Sequence, residues 1–403
     1  MRGGTRIPSS ITVTRGSEAS TVSRGMTALN QLGLTRELLR FNTINPPGME
    51  RACARHLGKL LEDAGFRCAY HEFAEARTTL VAEIGGAAGN DADKPPICFT
   101  GHIDTVPLGT AAWTRDAFAG ETDGDRLFGR GSSDMKSGIA AIVVAAIRLA
   151  PHLRNTPGLV LVLTAGEEVG CEGAKYLVTQ KLLGRAGAIV VAEPTDNYPY
   201  IGHKGLCWVE VEAKGKTAHG SMPEQGDNAI LKMTKCIREL EHFRFDVESH
   251  PVMGRPTMNI ATIHGGLNTN SVPDSVKLTV DLRTVPGIDH VHLCHALGTL
   301  LGSHANVRRI IDTPPLYTEP ENEWIQSVFD LMTPCLGARP EAKTIMFSTD
   351  GADLKRGYGG PPALILGPGE PSVAHQTDEW CNTSRIDQSV DAFTAIMKNW
   401  CGV

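Results

Sequence analysis

Short runs of apolar and β-branched residues alternate with amphipathic stretches through the first half of the chain. Runs bounded by turn residues predict strands at 79–84, 96–100, 159–164 and 188–192. Apolar residues at helical spacing predict helices at 50–65, 136–149 and 173–183. This alternation is typical of the α/β class, in which a mostly parallel sheet is sandwiched by helices and ligands bind beyond the carboxyl ends of its strands.

The pattern changes at about residue 204. Alternating polarity predicts half-exposed strands at 208–213, 257–264 and 276–283, and helical spacing predicts helices at 227–242 and 290–303. These elements form a predicted α+β unit inserted into the first domain, which resumes with a helix at 321–332, a strand at 363–366 and a helix at 387–400. The predicted domains are a main domain at 29–203 and 311–403, an insert at 204–310, and a disordered extension at 1–28.

The first 25 residues are rich in Arg, Ser and Thr and contain a single acid, Glu18. Such a composition fits a disordered tail, a targeting segment or a start codon assigned too early, with Met26 as the true start. All three interpretations stay open.

Composition narrows the function classes. The chain has 403 residues, 41% hydrophobic and 21% charged, with a formal net charge of −6. These values are ordinary for a globular protein and argue against a nucleic-acid partner. The longest apolar run, at 138–147, is about half a membrane span, so no membrane partner is expected. The ten cysteines include no CxxC pair, which predicts reduced thiols and a cytoplasmic location.

Five segments place His, Asp and Glu where predicted strands end or in loops. They are TGHIDTVP (100–107), GRGSSDMKSG (129–138), TAGEEVGCEGA (164–174), VAEPTD (191–196) and GPGEPSVAHQTDEW (367–380). Imidazole and carboxylate ligands without cysteine suit a hydrolytic zinc, cobalt or manganese site better than a structural zinc site. Carboxylates that bridge two ions about 3.5–4 Å apart can clamp both an attacking water and the scissile oxygen.

These segments, in this order, resemble the metal-dependent amidohydrolases that include acetylornithine deacetylase, succinyl-diaminopimelate desuccinylase, aminoacylase and glutamate carboxypeptidase. The resemblance runs from about residue 30 to the C-terminus. It implies a zinc-exopeptidase-like catalytic domain with two divalent metal ions, zinc first and cobalt or manganese as alternatives. It also implies that the insert is a dimerisation (lid) domain and that the protein is a homodimer.

The resemblance assigns roles to individual residues. It implies five metal ligands: His102, Asp134, Glu168, Glu193 and His375. Asp134 would bridge the two ions and form a cis peptide bond with Met135. Glu167 would be the general base, and Asp104 would orient the His102 imidazole.

Residues of the insert and of the last segment are implied to contact the substrate. His219 would reach the partner's active site and stabilise the oxyanion, although it could instead serve only the interface. Asn270 and Arg283 would bind the substrate carboxylate, but a strand arginine is often only part of a cross-strand ion pair. Ser348 and Thr349 would line the pocket for the acylated amino acid.

The predicted activity is therefore hydrolysis of the amide bond of an N-acyl-L-amino acid by a water that two metals activate and Glu167 deprotonates. A dipeptidase or carboxypeptidase of the same fold is the alternative, and a catalytically silent metal-binding protein is a third hypothesis. Glu379 could contact a metal ligand or form a salt bridge. The remaining motif-free histidines are expected on the surface or on helix faces: His203, His264, His290, His292 and His295.

Overall fold

The computed structural model describes residues 29–86 and 94–403, so the predicted extension at 1–28 lies outside the described residues. The strands are β1 (Arg67–Ala74), β2 (Arg77–Ile84), β3 (Ile97–His102), β4 (Thr122–Asp123), β5 (Arg126–Phe128), β6 (Leu159–Thr164), β7 (Ala188–Val191), β8 (Gly202–His203), β9 (Gly205–Lys214), β10 (Thr257–Gly265), β11 (Ser275–Thr284), β12 (Asn306–Thr313), β13 (Leu316–Tyr317), β14 (Ala363–Ile365) and β15 (Trp380–Asn382). The α-helices are α1 (Gln31–Leu39), α2 (Arg51–Asp63), α3 (Lys136–Leu149), α4 (Glu172–Thr179), α5 (Ala229–His242), α6 (His290–Leu301), α7 (Glu323–Leu336), α8 (Gly351–Gly357) and α9 (Thr383–Cys401).

The main sheet has six strands in the order β1-β2-β6-β3-β7-β14. Strands β6, β3, β7 and β14 are parallel, whereas β2 is antiparallel to both of its neighbours. This arrangement confirms the predicted mostly parallel sheet. Because His102 at the end of β3 pairs with Thr164 at the end of β6, the loops that follow these strands begin side by side at one sheet edge.

Helices cover both faces of the main sheet. One face packs against α1, α2, α3, α7 and α9, and the other against α4 and α8. Helix α3 lies so close to the sheet that a Cβ atom on Gly138 would stand 2.3 Å from the Ala192 carbonyl oxygen. Only glycine permits this approach, which brings the start of α3 against the loop that follows β7.

A second sheet, antiparallel throughout, has the order β10-β11-β9-β12 and carries α5 and α6 on one face. In the structure this unit, the insert, spans residues 205–313, close to the predicted 204–310. Alternate residues of β9 are buried, as the predicted alternation requires. Two small ribbons, β8 with β13 and β4 with β5 and β15, complete the sheets of the described ranges. No helix in these ranges is long and apolar enough to cross a membrane.

Candidate active site

Three loops at the carboxyl edge of the main sheet bring His102, Glu168 and Glu193 together. His102 is the last residue of β3, Glu168 follows β6, and Glu193 follows β7. The Nε2 atom of His102 lies 3.0 Å from Oδ1 of Asp134 and 3.8 Å from Oε1 of Glu193. One imidazole therefore meets two carboxylates in a buried position.

Asp134 stands between two histidines. While its Oδ1 faces His102, its Oδ2 lies 3.2 Å from Nε2 of His375. The same His375 nitrogen lies 3.2 Å from Oε2 of Glu168. Ligand atoms of His102, Asp134 and Glu168 all fall within 4.8 Å of one another. The peptide bond from Asp134 to Met135 is cis, as the resemblance implies.

Asp104 is fully buried and touches more of the site than the motif indicates. Its Oδ1 accepts the backbone N–H of Glu167 at 3.1 Å, and its Oδ2 accepts that of Glu168 at 3.3 Å. Oδ2 also accepts the Asn45 side-chain amide at 2.9 Å. The His102 Nδ1–H donates to the Asp104 carbonyl oxygen at 3.0 Å and lies 3.6 Å from its carboxylate. Asp104 therefore holds both His102 and the Glu167–Glu168 turn.

Glu167 lines the same cavity, of about 260 Å³, as Asp134, Glu168, Glu193 and His375. None of the ion pairs found among the described residues includes Glu167. Its Oε1 accepts a weak hydrogen bond from the Cys171 thiol, at 3.6 Å. A carboxylate that faces the cavity without being engaged by a histidine can exchange a proton with a substrate or a water molecule.

Carboxylates outnumber histidines in this cavity. Burial raises the pKa of Glu193 well above its usual range, and the neighbouring Asp134 and Glu168 charges add to the effect. Burial likewise raises the pKa of Glu167, with smaller contributions from Glu193, Asp350 and Glu168. Hydrogen bonds to Asp134 and Glu168 raise the pKa of His375 to about 10. Crowded carboxylates thus disfavour their charged forms and favour charged histidines.

The donor set fits divalent cations. Buried carboxylates are stable in proteins when they are paired or coordinate metals, and three carboxylates meet two imidazoles here. The Oε1 atom of Glu168 is buried and has no hydrogen-bond partner among the described residues. Nitrogen and oxygen donors without sulfur suit zinc, cobalt or manganese.

The residues predicted to contact substrate lie in several different places. Ser348 lines the 260 Å³ cavity with Phe347. Thr349 is fully buried instead, and its N–H and hydroxyl both lie 3.1 Å from Nε2 of His203. A Thr349 side chain turned to His203 does not line the cavity, so Ser348 alone of this pair borders it.

His219 and Asn270 lie together in the insert, outside the cavity. Both are exposed, and the Gly220 N–H donates to the Asn270 carbonyl oxygen at 2.8 Å. The His219 Nδ1 atom lies 2.7 Å from the Ser221 hydroxyl. Neither side chain borders the cavity of its own chain, so the predicted role of His219 requires a second subunit.

Arg283 lines a wider cleft, of about 860 Å³, between the insert and the main domain. Lys204 and Lys343 line the same cleft. The Arg283 Nε–H donates to Asp281 at 2.9 Å, so the guanidinium forms an ion pair within its own strand. It keeps about a third of its side-chain surface exposed.

Two histidines were predicted wrongly. His203 is fully buried, and burial lowers its pKa to about 4. His290 is also buried, and its Nδ1 atom lies 2.6 Å from Asp312. Both side chains fill structural hydrogen-bond positions whose partners lie elsewhere in the sequence, which a motif search does not detect. His264, His292 and His295 are exposed, as expected.

Comparisons with known proteins identify the family of this chain. Residues 98–399 match the family model described as peptidase family M20/M25/M40. An acetylornithine deacetylase of Myxococcus xanthus is 32% identical over 375 residues, which cover 89% of this chain and 93% of that protein. A probable succinyl-diaminopimelate desuccinylase of Staphylococcus aureus is 28% identical over 364 residues, covering 80% and 87%.

A solved structure shares the fold. A dinuclear metal binding peptidase of the M20 family from Bacillus subtilis aligns with a TM-score of 0.69 at 14% identity, covering 92% of this chain and 98% of that chain. The family match spans most of the chain and includes all five predicted ligands. This chain belongs to peptidase family M20/M25/M40 and is a metallohydrolase of that family.

Proposed function

We propose that the protein hydrolyses the amide bond of an N-acyl-L-amino acid, with two divalent metal ions, zinc first, and Glu167 as the general base. The observation that carries the proposal is the convergence of His102 and His375 on Asp134, at a cavity that Glu167 also lines without forming an ion pair among the described residues. His102, Asp134 and Glu193 would hold one ion. Asp134, Glu168 and His375 would hold the other.

The residues of the chain have distinct tasks in this reaction. Divalent ions at this site would supply Lewis-acid polarisation of the scissile carbonyl and a lowered pKa for the attacking water. Glu167 takes the proton of that water and returns it to the leaving nitrogen. Asp104 keeps Glu167 in place through the backbone N–H bond. His219 of the partner subunit would donate to the developing oxyanion.

The charge of the cleft favours a substrate that carries a carboxylate. Arg283, Lys204 and Lys343 line it, and the Arg283 guanidinium, whose Nε–H and Nη2 donate to Asp281, would offer its remaining N–H groups to a substrate carboxylate. Asn270 would contribute from the partner-facing loop of the insert. The relatives named as acetylornithine deacetylase and succinyl-diaminopimelate desuccinylase support an acyl amino acid as the substrate class.

A substrate panel tests the proposal. Purified protein with added Zn²⁺ or Co²⁺ is assayed with N-acetylornithine, N-succinyl-diaminopimelate and a set of dipeptides. We expect kcat/KM for at least one N-acyl amino acid to exceed that for every dipeptide by tenfold or more. Preference for dipeptides would favour the peptidase alternative. No turnover by protein that binds both ions would favour the silent metal-binding protein.

We also propose a homodimer that forms through the insert. Exposed apolar side chains of the insert, Leu231, Ile263 and Leu267, support a protein partner on this surface. In a two-fold dimer each active site would use the partner's His219. The ten free thiols support a cytoplasmic location.

Subunit mixing tests the trans role of His219. Glu167→Gln and His219→Ala are each expected to be nearly inactive as homodimers. A mixed dimer would keep one site with an intact Glu167 and the partner's intact His219. After random exchange of equal amounts, about half of the dimers are mixed and about a quarter of the wild-type activity should return. If no activity returns although mixed dimers form, His219 does not act across the interface.

A further inference from the structure

Glu379 is a fully buried carboxylate that gathers hydrogen bonds from the loop of Asp134. Its Oε1 accepts the backbone N–H of Ser133 at 2.7 Å and that of Asp134 at 2.9 Å. Its Oε2 accepts the N–H of Gly131 at 3.2 Å and an N–H of the Arg130 guanidinium. Hydrogen bonds to a charged group are about twice as strong as neutral ones. The Asp134 backbone is therefore held mainly by a side chain more than 240 positions away.

Arg130 extends this contact to two further loops. Its Nη1 binds Glu379, while its Nη2 donates to the Pro107 carbonyl oxygen at 3.1 Å and to the His375 carbonyl oxygen at 3.5 Å. Its guanidinium also stacks over the Trp113 ring at 5.2 Å. Pro107 belongs to the loop that follows His102 and Asp104. One guanidinium thus links the three loops that carry or follow His102, Asp134 and His375.

The loop of His375 contains two residues with an unusual backbone conformation. His375 and Asp378 both have left-handed backbones, with φ of 64° and 58°, which non-glycine residues rarely adopt. Asp378 accepts the N–H of Thr114 at 2.8 Å and its hydroxyl at 3.0 Å. The next residue is Glu379. The two acids therefore fix the C-terminal side of the His375 loop, Asp378 to the segment that includes Trp113 and Glu379 to the Asp134 loop.

We propose that the Arg130–Glu379 pair positions the metal-ligand loops and thereby sets the affinity for the two ions. This inference rests on the proposed metal-dependent function. A buried ion pair alone is weak evidence for stability, because desolvation offsets much of the attraction. Here, however, every side-chain hydrogen-bond partner of Glu379 in the described part of the chain belongs to the Asp134 loop or is Arg130. Removing a residue that holds a ligand in place typically costs 10–100-fold in metal affinity.

Glu379→Gln is the informative variant. Glutamine keeps the shape, but its amide nitrogen must face either Arg130 or the backbone N–H groups, which are all donors. Affinity is measured by competition with a chelator, and the Co²⁺-loaded protein is examined by its visible absorption spectrum. We expect 10–100-fold weaker binding of at least one ion, an altered Co²⁺ spectrum, and substantial recovery of kcat at saturating metal. A purely structural loss would not be recovered by metal.

Asp312→Asn is the matched control. It breaks the ion pair between Asp312 and His290 in the insert, at 2.6 Å, and should leave the metal affinity unchanged. Arg130→Lys is the second variant if Glu379→Gln does not fold. It keeps the positive charge but loses the fork that reaches Pro107 and His375, so we expect the same direction of effect.

The outcomes separate this inference from the proposed function. If wild-type protein binds two ions and both variants bind them with wild-type affinity, the positioning role is overturned and the proposed function stands. Equal weakening in Asp312→Asn would also overturn it, because the effect would then be general destabilisation. If wild-type protein binds no divalent ion, the proposed function fails first.

Discussion

Glu167→Gln separates the general base from the metal ligands. Among the described residues, the side chain of Glu167 forms no ion pair with a histidine, and its Oε1 accepts a hydrogen bond from the Cys171 thiol at 3.6 Å. The bond that orients the segment runs from the backbone N–H of Glu167 to Asp104, and the substitution leaves it intact. Both ions should therefore remain bound while the proton acceptor is lost.

The expected loss follows from general-base catalysis. A positioned base contributes about 10²–10⁴-fold in rate, which corresponds to about 3–5 kcal/mol of activation free energy. We expect kcat to fall by this factor, with two ions per chain and a KM within a few-fold of wild type. The assay combines steady-state kinetics on the best substrate of the panel with elemental analysis of dialysed protein.

A matched substitution controls for the change of charge. Glu172 is five residues away and its side chain is about half exposed, so Glu172→Gln should change kcat less than threefold. A Glu167→Gln variant with two ions and more than a tenth of wild-type kcat would refute the role of base. Loss of one ion from that variant would show that Glu167 is a ligand instead.

Three further predictions follow from the site and its surroundings. Removal of metal by a chelator should abolish activity, and added Zn²⁺, Co²⁺ or Mn²⁺ should restore it. Each ion, at a free concentration of 100 times its Kd, should also add about 2.7 kcal/mol to the free energy of unfolding. Arg283→Lys should raise KM about tenfold for substrates that carry a carboxylate and leave the KM of their amides unchanged, because lysine lacks the paired donors; equal effects on both would contradict carboxylate binding. Burial lowers the pKa of His203 from 6.5 to about 4. Between these two pH values the unfolded protein therefore binds more protons than the folded protein. The free energy of unfolding consequently falls as the pH is lowered from 6.5 to about 4. Urea unfolding of metal-free protein should show that this loss is about 3 kcal/mol smaller in His203→Gln than in wild type, whereas exposed His264→Gln should match wild type.

The main sheet and its helices could be predicted where burial enforces a pattern. Helix α3 and strand β6 have the predicted bounds, because nearly all of their residues are buried and apolar. The meeting of His102, Asp134, Glu168, Glu193 and His375 was also predictable, since each stands in a short motif in a loop, at the end of a strand or at the start of a helix. Local sequence carries this information directly.

Some strands without a regular apolar pattern escaped prediction. Strand β12 was missed because Arg308 and Arg309 interrupt its apolar residues. Arg308 forms an ion pair with Glu210 of the neighbouring strand, at 3.0 Å, which only the sheet pairing reveals. Strand β1 was missed for a similar reason, since its residues are half-buried or exposed.

Contacts between residues that are far apart in the sequence could not be predicted either. The sequence left Glu379 with two possible roles, and its partner Arg130 is 249 positions away. His203 is held by Thr349, which is 146 positions away. No spacing rule joins such residues, because their meeting depends on how the loops pack at the sheet edge.

His102, Asp134, Glu168, Glu193 and His375 are proposed to hold two ions beside Glu167. Diffraction from crystals of the zinc-loaded protein, with anomalous differences collected at the zinc absorption edge, tests this arrangement directly. We expect two peaks about 3.5–4 Å apart, with Asp134 between them and Glu167 bound to neither. A single peak away from Asp134, or no peak in protein that turns over substrate, would contradict it.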